Sequence, residues 1–348
     1  MAGTTSLHTT AVVAGRYGGA EVLRVSQWPI EEPRASEVRV RVRAAGISYA
    51  DLLMCQGLHP ERRKVPFVPG WDVVGDVEAV GSEVGHVKVG DRVAGLTIVG
   101  GWAQLAIVRG DWVVPVPEGL DPASAVCLVM DYVVAYQMLT RKASVSAGDT
   151  ILVQGAGGGV GTALMDLART MDLRVLGTDR EGKRAHVESY GGVLIDFERE
   201  DVVSRCRHLT AGCGVDAAFD GIGATAPASL QALRPGGRLV WFGMVTFLSG
   251  GNRNLIGVAR TALSLARVFA PNARPGGKRT SLYSIQQLAK KHPDWYRQDL
   301  AALLDLLAAG TISPRLAAAW ELDRVPEAAE ALSAGALPGK QVVTMAEG

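Results

Sequence analysis

The stretch ILVQGAGGGVGTALMDLA, residues 151–168, places five glycines within positions 155–161, between two apolar runs. ILVQ reads as a buried strand and TALMDLA as a helix. Bare backbone at a strand-to-helix turn lets a charged ligand approach the main chain closely. Ala156, Gly158 and Gly161 fall on the three positions of a dinucleotide loop, with Ala in place of the first glycine. The first position makes the tight turn, the second lets the backbone meet a pyrophosphate, and the third lets helix pack on strand. Gly157, Gly159 and Val160 complete the loop. The helix start that follows would supply unpaired N–H groups and partial positive charge.

A second strand, RVLGTD, ends at Asp179. An acid there holds the ribose hydroxyls and repels a 2′-phosphate, which favours NAD(H). Arg180, Lys183 and Arg184 follow at once. They keep NADP(H) open as phosphate ligands, or else form a solvated helix start.

The pattern around this loop divides the chain. Residues 20–120 carry short Val-rich runs with turn residues between them. EVRVRVRAAGI alternates and reads as a strand with one solvated face; VVGDVEAVG, KVGDRVAGL and AQLAIV follow. From 124 to 140 the apolar spacing suits a helix. Strands and helices then alternate as far as TSLYSI, which implies a doubly wound parallel sheet covered on both faces. After 292 come a helix, DLAALLDLLAAG, and a last strand, KQVVTM, that look like a return to the first domain. The expected division is 1–126 with 292–348 in a β-rich domain, and 127–291 in the α/β dinucleotide-binding domain. Segment 246–280 exceeds what a βα connection needs and reads as a basic helix flanked by loops.

The totals exclude several classes. With 36 basic and 35 acidic residues among 348, the net charge of +1 calls for neither nucleic acid nor an anionic membrane. ASAVCLVMDYVVAYQMLT is the longest apolar run. It contains Asp131 and reads as a helix buried in protein, so no membrane span is expected. MAGTTSLHTTAVVAGR lacks the pattern of a signal peptide. Cys55, Cys127, Cys206 and Cys213 form no CxxC pair and read as buried thiols in a reducing cytoplasm.

AAGISYADLL, PFVPGWDVVGDVEAVG, KVGDRVAGL, GAGGGVGTALMDLA, VDAAFDGIG and GMVTFLSGGNRNL together resemble the medium-chain dehydrogenase/reductase superfamily. Within it the chain is most similar to the zinc-independent quinone oxidoreductase branch, close to the synaptic vesicle membrane protein homologues, mainly through GGNRNLIGVART. With the tail, these stretches cover almost the whole chain. The resemblance implies a GroES-like partial-barrel catalytic domain built from both chain ends and a central Rossmann domain. It also implies a homodimer formed through the last strand of the central sheet, here TSLYSI.

Zinc-dependent members carry a Cys and a His at the positions of Ser48, in GISYAD, and Trp71, in PGWD. The remaining nearby acids, Asp51 and Asp72, cannot build a catalytic zinc site alone, since such a site needs about three protein ligands. No zinc is therefore expected. Without a metal, the accessible chemistry is hydride transfer from reduced nicotinamide to a quinone or an α,β-unsaturated carbonyl, whose oxygen takes the arriving charge.

Candidate catalytic residues follow from the resemblance. Ser48 stands where quinone reductases show Asn, and Tyr49 is beside it. His59, in QGLHPER, matches a loop Tyr of some relatives; it is either a proton donor or a surface-loop histidine. Tyr132 matches an aromatic that lines the substrate cleft in relatives, or packs in the core. Asp131 and Val134 replace an Asn and a Thr; Asp131 could instead cap a helix or pair locally. Trp71 reads as a pocket wall. Gly243, Met244 and Val245 end the strand VWFGMV, which passes under the nicotinamide in relatives, with Phe242 a further cofactor-binding candidate, and Asn254 lies near the nicotinamide end or caps the next helix. The leading expectation is an NAD(P)H-dependent reductase of a small-molecule quinone or enone. One alternative is a reductase of a larger, polyketide-type enone or thioester. Another is a nucleotide-binding protein with little redox turnover that acts through partners or a membrane.

Overall fold

The structure is a computed structural model and describes residues 7–243, 266–273 and 276–345. It forms two compact units, 1–133 with 285–348, and 134–284. These divisions lie inside the stretch assigned from sequence to the central domain. The first falls within the helical run Pro122–Ala143, whose apolar window is 83% buried. Composition does not change along that run, so nothing in the sequence marks the crossing.

In the first unit, Glu37–Ile47 is the central strand of a seven-stranded sheet. From Val38 to Ala45 it pairs antiparallel with Asp72–Val80. Its first half also pairs with Leu105–Arg109, and its second half with Lys340–Thr344. Val38, Val40 and Val42 fill the core, each contributing roughly 1.5–3 kcal/mol by burial. The expected solvated face exists only in part. Arg41 is exposed, but Arg39 is buried against Glu32 and Glu78, and the strand is largely buried from Ala44 to Ile47. Alternation fails there because the segment is covered on both faces, as in a central strand. A hairpin, Leu7–Ala14 with Leu23–Ile30, completes the β structure. The last strand, KQVVT, returns the chain end to this sheet, as expected.

In the second unit, six parallel strands run in the order Val193–Asp196, Arg174–Asp179, Thr150–Gln154, Val215–Asp220, Leu233–Trp241, Arg279–Leu282. The chain starts in the middle of this sheet and winds outward in both directions. Thr150–Gln154 and Val215–Asp220 are therefore neighbours whose connections leave to opposite sides. In open α/β sheets such a switch point, at the carboxyl ends of the strands, is where ligands bind. Ile151, Leu152 and Val153 are fully buried, which fixes the strand that carries the glycine loop. Arg279–Leu282 is the edge strand and is shorter than TSLYSI suggested.

Candidate functional site

The glycine loop leaves Thr150–Gln154 and enters the helix Gly159–Thr170. The left-handed turn is made by Gly155 (φ +71°), one residue earlier than the sequence reading placed it. Ala156 is fully buried, and its methyl occupies the space beside Gly177, where an added Cβ would lie 2.7 Å from it. Alanine is thus tolerated because the strained conformation belongs to its neighbour. Gly161 does what its position predicts. A Cβ there would lie 2.3 Å from the Gly155 carbonyl oxygen and 2.6 Å from that of Ala156, so helix and strand approach with nothing between. Gly158 is the helix N-cap and offers no side-chain cap. The first-turn N–H groups therefore keep their capacity for an anion.

Asp179 sits against this loop. Its Oδ2 accepts the Gly157 N–H at 2.9 Å and lies 3.6 Å from Lys183 Nζ; its Oδ1 accepts the Arg180 N–H. The Lys183 stem runs over Gly157, where a Cβ would meet its Cδ at 2.3 Å. Of the three basic residues, Lys183 is thus the one beside the loop. Arg180 pairs with Glu198, and Arg184 with Glu181 and Glu188. Beneath the loop a buried chain of hydrogen bonds links the strand ends. Thr178 donates to Gln154, Gln154 to Ser229, and Ser229 to Asp220. Asp220 also accepts the N–H groups of Ile222 and Gly223. The sequence reading missed this network, because its members come from three strands and a helix. Phe242 lies over Gly221, and Gly243 approaches the Gly221 carbonyl too closely for any Cβ. Met244 and Asn254 lie outside the described residues.

The first unit gathers most of the other candidates. Ser48 caps the helix Tyr49–Cys55 in a reciprocal capping box with Asp51. Asp51 Oδ2 accepts from Ser48 Oγ at 2.6 Å and Ser48 N at 2.9 Å, and Oδ1 accepts the Gly70 N–H at 2.9 Å. Burial raises the Asp51 carboxyl to about 7, against the Ser48 hydrogen bond, and the neighbouring Asp72 charge adds to the rise. Tyr49 is partly exposed on the same helix. The His59 ring stands edge-on to Trp71, centroids 5.3 Å apart. Its Nδ1 accepts the Glu61 N–H, which leaves the proton of the neutral ring on Nε2. Burial holds the imidazole below its usual pKa. The Trp71 indole nitrogen is buried with no hydrogen-bond partner among the described residues. Tyr132 is buried at the end of the segment Leu128–Tyr132.

Lys340 is the residue that sequence reasoning missed. It is buried on the last strand, with Nζ 3.2 Å from Asp72 Oδ2 and 3.3 Å from Asp131 Oδ1. Burial alone would push its ammonium down, but Asp131 and Asp72 outweigh that and hold it above the usual range. Asp131 thus pairs across the fold rather than locally. The one available signal was a lysine opening the last strand, KQVVT, ahead of two valines. A buried cation needs a buried partner, but the strand does not say which.

These side chains do not suit a zinc ion. An indole donates a hydrogen bond and offers no ligand lone pair. Asp51 and Asp72 are already held by backbone amides, Ser48 and Lys340. Among the described residues no group of three or more His, Cys, Asp or Glu is placed to hold a metal.

Residues 34–118 match the alcohol dehydrogenase GroES-like domain, and residues 159–272 the family described as zinc-binding dehydrogenase. The synaptic vesicle membrane protein VAT-1 homolog of Danio rerio is 31% identical over 340 residues, covering 96% of this chain and 69% of that protein. The chain belongs to the medium-chain dehydrogenase/reductase superfamily, in its quinone oxidoreductase and VAT-1 branch. A quinone oxidoreductase of Pseudomonas aeruginosa is 35% identical over 234 residues, 65% of this chain and 71% of that one. Mycobacterial Rv1454c, solved as a complex with NADPH, superposes with a TM-score of 0.84 at 28% identity, over 97% of this chain and 99% of that one.

Proposed function

We propose that this protein is a zinc-independent reductase that uses NADPH to reduce a quinone or an α,β-unsaturated carbonyl. The carrying observation is the glycine loop on its uncapped helix start, at the switch point of the parallel sheet. Gly157, Gly158, Gly159, Val160 and the first turn of the helix would bind the pyrophosphate. Phe242 and Gly243 would support the nicotinamide end. A bound reduced nicotinamide would supply the hydride. On the acceptor side, Ser48, Tyr49, His59 and Tyr132 would position the carbonyl and meet the charge that develops on its oxygen. Trp71 would form a wall.

Sequence alone leaned to NAD(H) through Asp179. The Asp179 carboxylate is partly answered within the chain, by the Gly157 N–H and Lys183, so its repulsion of a 2′-phosphate is blunted. The likeness to an NADPH-bound relative supports the same choice. Titration with NADPH and NADH, read by nicotinamide fluorescence, tests this directly. NADPH should bind more tightly, and Lys183→Ala should erase that difference. Binding of neither cofactor would reject the reading. Oxidation of the bound cofactor only when a quinone or enone is added would set aside a protein without redox turnover. We also propose a dimer contact on the edge strand Arg279–Leu282, where Leu282 is exposed, and, from the sequence alone, a cytoplasmic protein.

A further inference from the structure

We propose that Ser48 and Asp51 form a proton couple, in which Ser48 protonates the oxygen of the reduced acceptor and Asp51 refills Ser48. The inference rests on the reductase reading above. It starts from the hydroxyl and carboxyl that meet at the cap of the helix Tyr49–Cys55. An amide side chain donates and accepts through different atoms. A hydroxyl does both through one oxygen and can pass a proton.

The geometry exceeds what capping requires. A capping box needs the Ser48 oxygen to accept from the Asp51 N–H and Asp51 to accept from the Ser48 N–H. Here the closest contact is a third one, Ser48 Oγ to Asp51 Oδ2 at 2.6 Å, within the range of a charge-assisted O–H···O bond. The capping bond to the Ser48 oxygen is the longer one, at 3.3 Å. Asp51 Oδ1 is independently held by the Gly70 N–H. The carboxylate left after a proton departs therefore keeps three donors and does not need to move. Both side chains are buried, so bulk water does not short-circuit the transfer.

The surrounding charges favour a stored proton. Asp72, Lys340 and Cys55 are the ionisable groups that act on Asp51 or feel its charge. Lys340 is shared between Asp72 and Asp131 and so offsets Asp51 only in part. Burial then raises the Asp51 carboxyl to about 7, so both forms exist near neutral pH.

The step balances. The hydride brings two electrons to an acceptor carbon, and the displaced pair settles on the acceptor oxygen. A new O–H bond forms there as the Ser48 O–H bond breaks. The Ser48 O–H is remade as the Asp51 O–H breaks, leaving a carboxylate. A solvent proton restores Asp51 after the product leaves. Asp51 acts through Ser48 and does not touch the acceptor.

The test is the pH profile of kcat with a quinone acceptor, together with infrared spectroscopy of the protein without acceptor. The wild type should hold its rate below pH about 7 and lose it tenfold per pH unit above. Asp51→Asn and Ser48→Ala should lose that limb and slow turnover at pH 6 on the order of 10²-fold. Ser48→Thr should retain the limb. A protonated-carboxyl band should titrate near pH 7 in the wild type and vanish in Asp51→Asn. If Asp51→Asn fails to fold, the wild-type band and the Ser48→Ala and Ser48→Thr profiles still decide. An unchanged limb in Ser48→Ala, or no titrating band in a protein that turns over, overturns the couple alone. Turnover of no acceptor at any pH overturns the reductase reading and the couple with it.

Discussion

Replacing Lys340 with Met should destabilise the first unit more than any other single change outside its apolar core. The ammonium is buried between Asp72 and Asp131, at 3.2 and 3.3 Å. Asp72 keeps one backbone donor, Gly46 N–H at 3.0 Å, but both carboxylates lose their shared cation. Removing one partner of a buried ion cluster costs about 3–5 kcal/mol, because the charge left behind is uncompensated. For a unit of this size, each kcal/mol shifts the midpoint by about 2–4 °C, so the drop should be roughly 6–20 °C. The assay is thermal unfolding at pH 7.5 followed by near-UV circular dichroism. Burial already raises the Asp72 carboxyl against the pull of Lys340, so without the lysine it should rise further. A folded-state pKa above the unfolded one means that the folded form binds the extra proton, so stability falls as pH rises through that window. The deficit of Lys340→Met should therefore shrink toward pH 5. The triple variant Lys340→Met, Asp72→Asn, Asp131→Asn should recover most of the loss, since it leaves no buried charge. A loss below about 1 kcal/mol in Lys340→Met, or a triple variant no better than the single one, would refute the argument.

Other expectations follow from the second unit. Gly161→Ala would set a methyl 2.3 Å from the Gly155 carbonyl oxygen and force the helix off the strand. It should weaken NADPH binding at least tenfold in a fluorescence titration and cost about 1–3 kcal/mol in urea unfolding. Gly155→Ala would place a side chain at φ +71°, with open space around it. Its effect should be smaller, about 1–2 kcal/mol, from the left-handed conformation alone. Leu282→Asp, on the exposed edge strand, should shift the mass measured by light scattering from dimer to monomer while leaving NADPH binding unchanged.

Much of the nucleotide half was legible because its logic is local. A buried strand, a run of glycines and an amphipathic helix sit within 18 consecutive residues, and each glycine's role depends on neighbours close in sequence. Even there the pattern was misread by one residue. The spacing put the turn on Ala156, whereas backbone sterics put it on Gly155, the residue able to take a positive φ without penalty. The three basic residues after Asp179 were indistinguishable as a string. Their separation into one beside the loop and two facing Glu181, Glu188 and Glu198 needed the register of the next strand and helix.

The first unit was less legible, for two different reasons. Lys340 lies 209 residues from Asp131 and 268 from Asp72, and no periodicity reports a contact of that range. Pairing is decided by which strands become neighbours. The Ser48–Asp51 contact is the opposite case, because SYAD is a capping box in plain view, three residues apart. It sets one hydroxyl, able to donate and accept, beside a carboxyl denied water. In the proton couple proposed above, that hydroxyl is the group that hands on the proton and the carboxyl is the group that stores it.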